Sequence, residues 1–529
     1  MKKQKNVKSC LGYENDRNMR EKGRIKNCFS GLLRACVVTI FVALQFVFLL
    51  LLSILLQQYT VYFYVLVEFC GLLIILFLVN DEQRPAYKIA WITICLLLPI
   101  TGELMFCWWG NKTVRKKMTE KFQECRQHSE AYMVYNSGVQ NDFARLDPMG
   151  KRMIFYLEQE GFPLTKNNTV QYFSTGEDLF ESLFCDLKRA KKFIFLDFFT
   201  VAEGALWDQM YKICLKKIQE GVEIYFLYDD LGSMLRLGRN FKKNLTEQGF
   251  HVAVFNPVHK YMDFNDRSHQ KLVVIDGNIA YTGGVNIADE YANLVERFGR
   301  WKDNGIRLEG DSVWWMTVAF LQMWELTKEA DHIDYKRYRS TKKFKETDVF
   351  CQVMVDGPVN NPNHPIATIY GQLIHYAQKY LYIMTPYLIL EKDMQDALVT
   401  AAKSGVDVRI ITPYIPDKKS VKLVTYFYYG YLLKHGVRIF EYLPGFIHSK
   451  VILNESLGIV GSINMDYRSF YLHFENGVLI SGEEVLSEIQ EDFTNTFLQS
   501  KEITYTEWKQ RPLLVKCAEN VLNLFATML

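Results

Sequence analysis

The sequence has almost no net charge, no clustered cysteines, and long stretches with no charge at all. Its 62 Lys and Arg against 59 Asp and Glu leave +3 at pH 7. That balance excludes an overall polyanion-binding surface and argues against a nucleic-acid partner. Beyond position 110 the cysteines Cys125, Cys185, Cys214, Cys351 and Cys517 share no ligand-like spacing. They read as free thiols, which leans toward a reducing side and away from zinc. No metal and no cofactor is expected.

The charges that are present are unevenly placed. Met1 to Arg34 carries ten Lys or Arg against three acids, and Ala35 to Leu56 is then an uncharged run of 22 residues. A bilayer core requires about 20 apolar residues. A second apolar run covers Tyr62 to Val79 and a third Ile89 to Trp109, with Trp91, Trp108 and Trp109 toward its ends, where an aromatic belt would place them. The first run is too long for a cleaved signal peptide, and two more follow it. We therefore expect a multi-pass cell-membrane protein with a basic cytoplasmic head (1–34) and two or three transmembrane helices within 35–110. A cytoplasmic head and three spans would put the remainder outside. Lys112, Arg115, Lys116 and Lys117 argue for inside, so the side is left open.

After an entry segment (111–168), one pattern is written twice. Strand-like Lys192–Phe199 precedes a helical Asp208–Glu220, strand Val222–Tyr228, helix Arg239–Gln248 and strand His251–Phe255. In the second half the same order runs through Tyr380–Met384, Asp393–Ser404, Val406–Ile411, Val421–His435 and Val437–Tyr442. Gly221, Gly249, Gly405 and Gly436 stop the helices. Strands alternating with helices of about ten residues or more predict an α/β fold: two similar lobes (169–340 and 341–529, the latter with a C-terminal helix) of mixed, mostly parallel sheets flanked by helices. The Tyr426–Tyr429 cluster reads as an amphipathic or membrane-facing helix side.

Each lobe ends its pattern with the same motif. His269-Gln270-Lys271 is followed by Asp276, Gly283 and Asn286, and His448-Ser449-Lys450 by Glu455, Gly461 and Asn464. Residues two apart in a strand share a face, so each His and Lys should project together. An imidazole beside an ammonium suits a phosphate better than a metal: Lys holds the oxygens, and His attacks phosphorus or moves a proton. Asn286 and Asn464 could add neutral phosphate-binding donors. Asp276 and Glu455 stand at the seventh position, an odd spacing that need not face the His, and Asp276 could instead tie down the turn Asp276-Gly277-Asn278.

These residues resemble the phospholipase D superfamily, in which paired His-Lys-Asp motifs form one site between two lobes. The likeness is closest to bacterial cardiolipin synthases and covers nearly the whole chain. It is carried by Ser268–Tyr291, Glu296–Asp303, the membrane-entry run Asn80–Gly102, and the stretches within Pro444–Asn476. The resemblance implies a catalytic motif set of His269, Lys271, Asp276, His448, Lys450 and Glu455. It implies phosphatidyl transfer between two phosphatidylglycerol molecules in a lipid bilayer, giving cardiolipin and glycerol through a phosphatidyl-histidine, without a metal. By the same resemblance His269 is the nucleophile, His448 the acid and base, and Asp303 and Glu475 orient the histidines. We expect these carboxylates to be crossed, Glu475 to His269 and Asp303 to His448.

The second motif departs from the pattern. Glu455 replaces Asp, and His448 to Gly461 spans 13 positions against 14 for His269 to Gly283. If the acid only holds a turn, the enzyme stays active. A phospholipase D-type hydrolase using water, and a non-enzymatic membrane scaffold with a decayed second motif, remain as alternatives.

Overall fold

The structure is a computed structural model that describes residues 43, 44, 47, 51, 59–81, 83–110, 113–257, 265–327, 333–359 and 363–528. The basic head and nearly all of the first apolar run lie outside the described residues. The chain divides into two compact units, 1–112 with 234–236, and 113–233 with 237–529.

In the first unit, helix α1 (Thr60–Asn80) has 21 residues, of which Val61–Asn80 is long and apolar enough to cross a membrane by length and composition. The third apolar run corrects the expectation of a further full span. It breaks into α2 (Pro85–Leu97), 13 residues long, and a second helical piece, Thr101–Met105, which continues as a π turn over Phe106–Gly110. At about 1.5 Å per residue α2 rises roughly 20 Å, short of a hydrocarbon core of about 30 Å. Pro99 is the cause. It offers no N–H and pushes the residue before it out of the helical region, and Leu98 indeed sits at φ −132°, ψ 72°. Among the described residues, one helix is long enough to span.

The second unit holds two large sheets built in the same order, and a small two-stranded one (Leu388–Ile389 with Met465–Asp466). In the first lobe the strands are β1 (Asn168–Phe173), β2 (Phe193–Phe198), β3 (Glu223–Asp229), β4 (His251–Phe255), β5 (Lys271–Ile275), β6 (Ile279–Gly283) and β7 (Gly305–Gly310). They lie in the order β1-β7-β6-β5-β2-β3-β4. In the second lobe β8 (Phe350–Asp356), β9 (Tyr380–Met384), β10 (Asp407–Pro413), β11 (Arg438–Tyr442), β12 (Val451–Asn454), β13 (Gly458–Gly461) and β14 (His473–Ser481) repeat it as β8-β14-β13-β12-β9-β10-β11, with a short strand added at each edge. Both large sheets are mixed, as expected, but antiparallel pairs outnumber parallel ones in each, which corrects the expectation of mostly parallel sheets. Pairing is parallel where helices cross over, β2-β3-β4 and β9-β10-β11. It turns antiparallel at the hairpins β5-β6 and β12-β13, because a tight turn can join only antiparallel neighbours.

Local chemistry explains the elements. β2 (FIFLDF) is buried along its whole length, as a strand covered on both faces must be. The four stop glycines have φ of +85°, +94°, +94° and +97°, conformations that cost a side chain dearly. Helix α3 (Ser312–Thr327) is buried from Ser312 to Leu326. Two of its buried polar residues are partnered: Gln322 donates to Ser129 Oγ at 2.7 Å, and Glu325 accepts from Ile333 N–H at 2.7 Å. One apolar core joins α3 to residues of both sheets, so the lobes are fixed to each other. The aromatic cluster is not an outward face. Tyr428 and Tyr429 are buried, and Tyr429 bonds with Thr412 and Glu441 through its hydroxyl.

Candidate active site

The two His-x-Lys motifs enter the site by matching contacts with the opposite lobe. His269 N–H donates to Phe474 O at 2.8 Å and His448 N–H to Lys302 O at 2.7 Å. Two residues on, Lys271 N–H reaches Asn476 Oδ1 at 3.4 Å and Lys450 N–H reaches Asn304 Oδ1 at 2.9 Å. Each histidine is therefore clamped to the segment that carries the other lobe's acid.

Those acids cross. His269 Nδ1 lies 2.8 Å from Glu475 Oε1 and 3.0 Å from Oε2; His448 Nδ1 lies 2.7 Å from Asp303 Oδ2. Both carboxylates are fully buried. With Nδ1–H donated to a carboxylate, the remaining nitrogen, Nε2, is left for chemistry. Ser462 Oγ also donates to Glu475, and Trp301 Nε1–H lies 3.4 Å from Asp303. The lysine ammoniums turn back onto their own motifs, Lys271 onto His269 O and Lys450 onto His448 O at 2.6 Å.

Two glycines let the strands come this close. A Cβ on Gly283 would stand 2.4 Å from Asn304 O, and one on Gly461 would stand 2.2 Å from Asn476 O. Below, the buried Arg267–Asp229 pair, 2.9 Å apart, fixes the approach to His269, because Asp229 also accepts from Ser268 N–H at 3.1 Å.

The electrostatics are those of an anion site. Burial, Lys271, His473, Lys450 and His448 hold His269 well below the usual imidazole range. Burial and Lys450 lower His448 to about 4, against the pull of Asp303. Lys271 falls to about 7 and Lys450 to about 8, chiefly by burial. Burial lifts Glu475 to about 8, although Lys271 opposes it. Burial thus disfavours both a charged ring at His269 and a charged carboxylate at Glu475; with Nδ1–H directed at Glu475, Nε2 of the neutral His269 ring bears the lone pair.

Other expected residues are placed differently. Asp276 is at the hairpin turn, where it accepts from Lys191, Lys192 and Phe193 N–H at 2.8, 2.7 and 3.0 Å. Glu455 accepts from Gln378 and Lys379 N–H at 2.8 and 3.4 Å. The motif set implied by resemblance is corrected to that extent: both acids serve backbone donors at a strand start, and neither is bonded to a histidine. Asn286 is also committed, its Oδ1 to Thr200 N–H at 2.9 Å and one N–H to the Tyr291 hydroxyl at 2.8 Å. That leaves it a single N–H for a phosphate. Asn464 is buried with Oδ1 unpartnered.

Sequence reasoning missed Asn304, Asn476 and His473. The first two had a visible signal, since Asp303-Asn304-Gly305 and Glu475-Asn476-Gly477 repeat acid-Asn-Gly at matching places. Among the described residues, His269, His473 and Glu475 form a group whose ligand atoms lie within 4.8 Å of one another. Arg468, Lys271, Arg267 and Lys418 all act on His473 electrostatically, a surrounding that favours an anion over a metal ion.

Comparison with known proteins agrees with this architecture. A family model described as "Cardiolipin synthase, PLD-like domain" matches residues 183–304 and 370–497. An uncharacterized protein of Streptococcus mutans is 36% identical over 86% of this chain and 99% of its own length. Cardiolipin synthase 1 of Staphylococcus aureus (strain COL) is 31% identical over 86% of the chain and 94% of its own. The major cardiolipin synthase of Bacillus subtilis is 31% identical over 87% and 97%. The crystal structure of a Haemophilus influenzae phosphatidylserine synthase shares the fold, with a TM-score of 0.54 at 16% identity over 72% of this chain and 100% of that one.

Proposed function

We infer the reaction from kinship and geometry together: the chain belongs to the cardiolipin synthase family with phospholipase D-like domains, an enzyme family, and it is a phosphatidyltransferase. The proposed substrates are two phosphatidylglycerol molecules, and the products are cardiolipin and glycerol. The observation that carries the reading is the crossed pairing of His269 with Glu475 and of His448 with Asp303. It makes one site depend on both lobes.

In the first half-reaction His269 Nε2 attacks phosphorus, and the bond from phosphorus to the glycerol oxygen breaks. His448 Nε2–H gives its proton to that oxygen, and glycerol leaves. Glu475 balances the charge that develops on the His269 ring, or takes its Nδ1 proton. In the second half-reaction His448 removes the proton from a hydroxyl of the second phosphatidylglycerol. That oxygen attacks phosphorus, the bond from phosphorus to His269 breaks, and cardiolipin forms. Each step runs equally well backward, so transfer is reversible. Lys271 and Lys450 supply the positive field for the phosphoryl oxygens, and the phosphate in turn raises the basicity of both histidines and both lysines. That supports His448 as an acid, against the burial and the Lys450 charge that lower it. The apolar α1 supports a membrane location, where the lipids lie.

The test is incubation of the purified full chain with phosphatidylglycerol, followed by lipid analysis and a glycerol assay. Cardiolipin plus equimolar glycerol is expected. Phosphatidic acid as the main product would turn the reading to hydrolysis. No product from wild type, unchanged in His269→Ala, would reduce the chain to a scaffold.

A further inference from the structure

Strand β14 brings two side chains to the site from one face, since residues two apart in a strand share a side. One is Glu475. The other is His473, whose ring centroid lies 5.6 Å from that of His269, with the planes tilted by 35°. Arg468 fixes its tautomer. The Nε–H of Arg468 donates to His473 Nε2 at 3.2 Å, and a guanidinium can only donate. Nε2 therefore holds the lone pair, and the ring proton sits on Nδ1. That Nδ1 is buried and has no hydrogen-bond partner. A buried donor without an acceptor is costly, and a functional site is where such a cost is retained. Burial and the cations around it hold His473 well below the usual imidazole range, so the ring stays neutral.

We propose that His473 is a third phosphate-binding residue, donating Nδ1–H to a non-bridging oxygen of the phosphodiester that His269 attacks. The inference rests on the transfer reaction proposed above and deepens it. The rings of His269 and His473 are neighbours, with centroids 5.6 Å apart. One phosphoryl group bridges a separation of that size when its phosphorus bonds one nitrogen and its oxygen accepts from the other at about 2.9 Å. The oxygens gain charge as the nucleophile closes in. The donor therefore holds the transition state more tightly than the bound substrate, and its loss falls on kcat.

His473→Leu removes the donor, whereas His473→Asn returns an N–H near the position of Nδ1. With phosphatidylglycerol as substrate, His473→Leu is expected to lower kcat about 100-fold with KM changed less than about threefold, and His473→Asn to recover most of that loss. Inorganic phosphate is the binding probe: it should raise the melting temperature of wild type and His473→Asn but not of His473→Leu. Unchanged kcat in His473→Leu, with wild type active, overturns the inference and leaves the transfer reaction standing. Equal losses in both variants together with lowered melting temperatures overturn it in favour of packing. If zinc protects wild type better than phosphate does, and neither variant responds, the group is a metal site and the inference fails. If wild type transfers no phosphatidyl group, the transfer reading fails; phosphate protection that disappears in His473→Leu would still support the contact.

Discussion

Glu475→Gln separates chemistry from architecture at this site. Glutamine has the shape of glutamate, and its Oε1 can still accept from His269 Nδ1 at the observed 2.8 Å. What it cannot do is balance the charge on a ring bonded to phosphorus, or accept the Nδ1 proton. A hydrogen bond to a charged group contributes about 1.5–3 kcal/mol against about 1 for a neutral one. Two unit charges about 4 Å apart interact by about 4 kcal/mol at an effective dielectric of 20. Some of that attraction survives as dipole, so the net loss falls in the range of about 2–4 kcal/mol, or roughly 30- to 1000-fold in kcat. Stability should move the other way. Burial lifts the Glu475 carboxyl to about 8, so keeping an ionisable carboxyl at this place costs the fold stability above the ordinary carboxylate range, and a neutral amide relieves that cost. The assay is glycerol release at saturating phosphatidylglycerol, beside thermal melting of the same preparation. A rate within threefold of wild type would refute the role given to Glu475. So would a rate loss that merely tracks a lower melting temperature.

His269→Ala should abolish a phosphatidyl-enzyme trapped by rapid quenching, whereas His448→Ala should still form one from a donor with a nitrophenolate leaving group, which needs no acid; equal loss in both variants would reverse or void the assignment. Asp276→Ala strips an acceptor from three backbone N–H groups and should cost about 1–3 kcal/mol of stability, read by denaturant melts, with kcat within about threefold of wild type. Gly461→Ala forces a methyl to within 2.2 Å of Asn476 O, next to Glu475, and should lower both the melting temperature and kcat, the latter by more than about tenfold given overpacking costs of about 1–3 kcal/mol. For pH, the lysines set the sign: Lys271 at about 7 and Lys450 at about 8 lose their charge as pH rises, so kcat/KM should fall through that window, and a profile rising to pH 9 would contradict the phosphate-binding role of the ammoniums.

The lobes were legible in sequence because the two crossover helices of each end at a glycine that takes a left-handed backbone, and because the strands between them are largely apolar. The three parallel strands of each lobe follow from that pattern; the order of the outer strands does not. The crossed acids were reached only through resemblance: nothing in the spacing of Asp303 or Glu475 says which lobe they will serve, since crossing is a property of how two sheets meet. Asn304 and Asn476 were in plain view as a repeated acid-Asn-Gly but carry no chemistry that singles them out, because their work is to hold a peptide N–H. His473 was hidden by its neighbour Glu475. The third apolar run misled for a simpler reason: hydropathy counts residues, and Pro99, which ends the helix, adds little to that count.

The irregular second motif shows why an altered turn need not disturb the site. In the first hairpin Ile275 pairs with Ile279, leaving a three-residue turn that starts at Asp276. In the second, Leu453 pairs with Gly458 and Asn454 N–H bonds Leu457 O at 3.0 Å, leaving a two-residue turn, Glu455-Ser456. The missing residue is therefore taken from the turn and from nowhere else. Continuing each register toward the site sets Gly283 opposite Lys271 and Gly461 opposite Lys450, so the close-approach glycines keep their places. The acid compensates at the other end. Asp276 reaches the peptides that open β2, and Glu455, longer by one methylene, reaches the peptides just before β9 from a tighter turn. Glu455→Asp should then weaken the anchor by losing that reach, with a drop of about 1 kcal/mol in stability and no change in kcat. A large loss of kcat in Glu455→Asp, at unchanged stability, would put the seventh-position acid back into the chemistry.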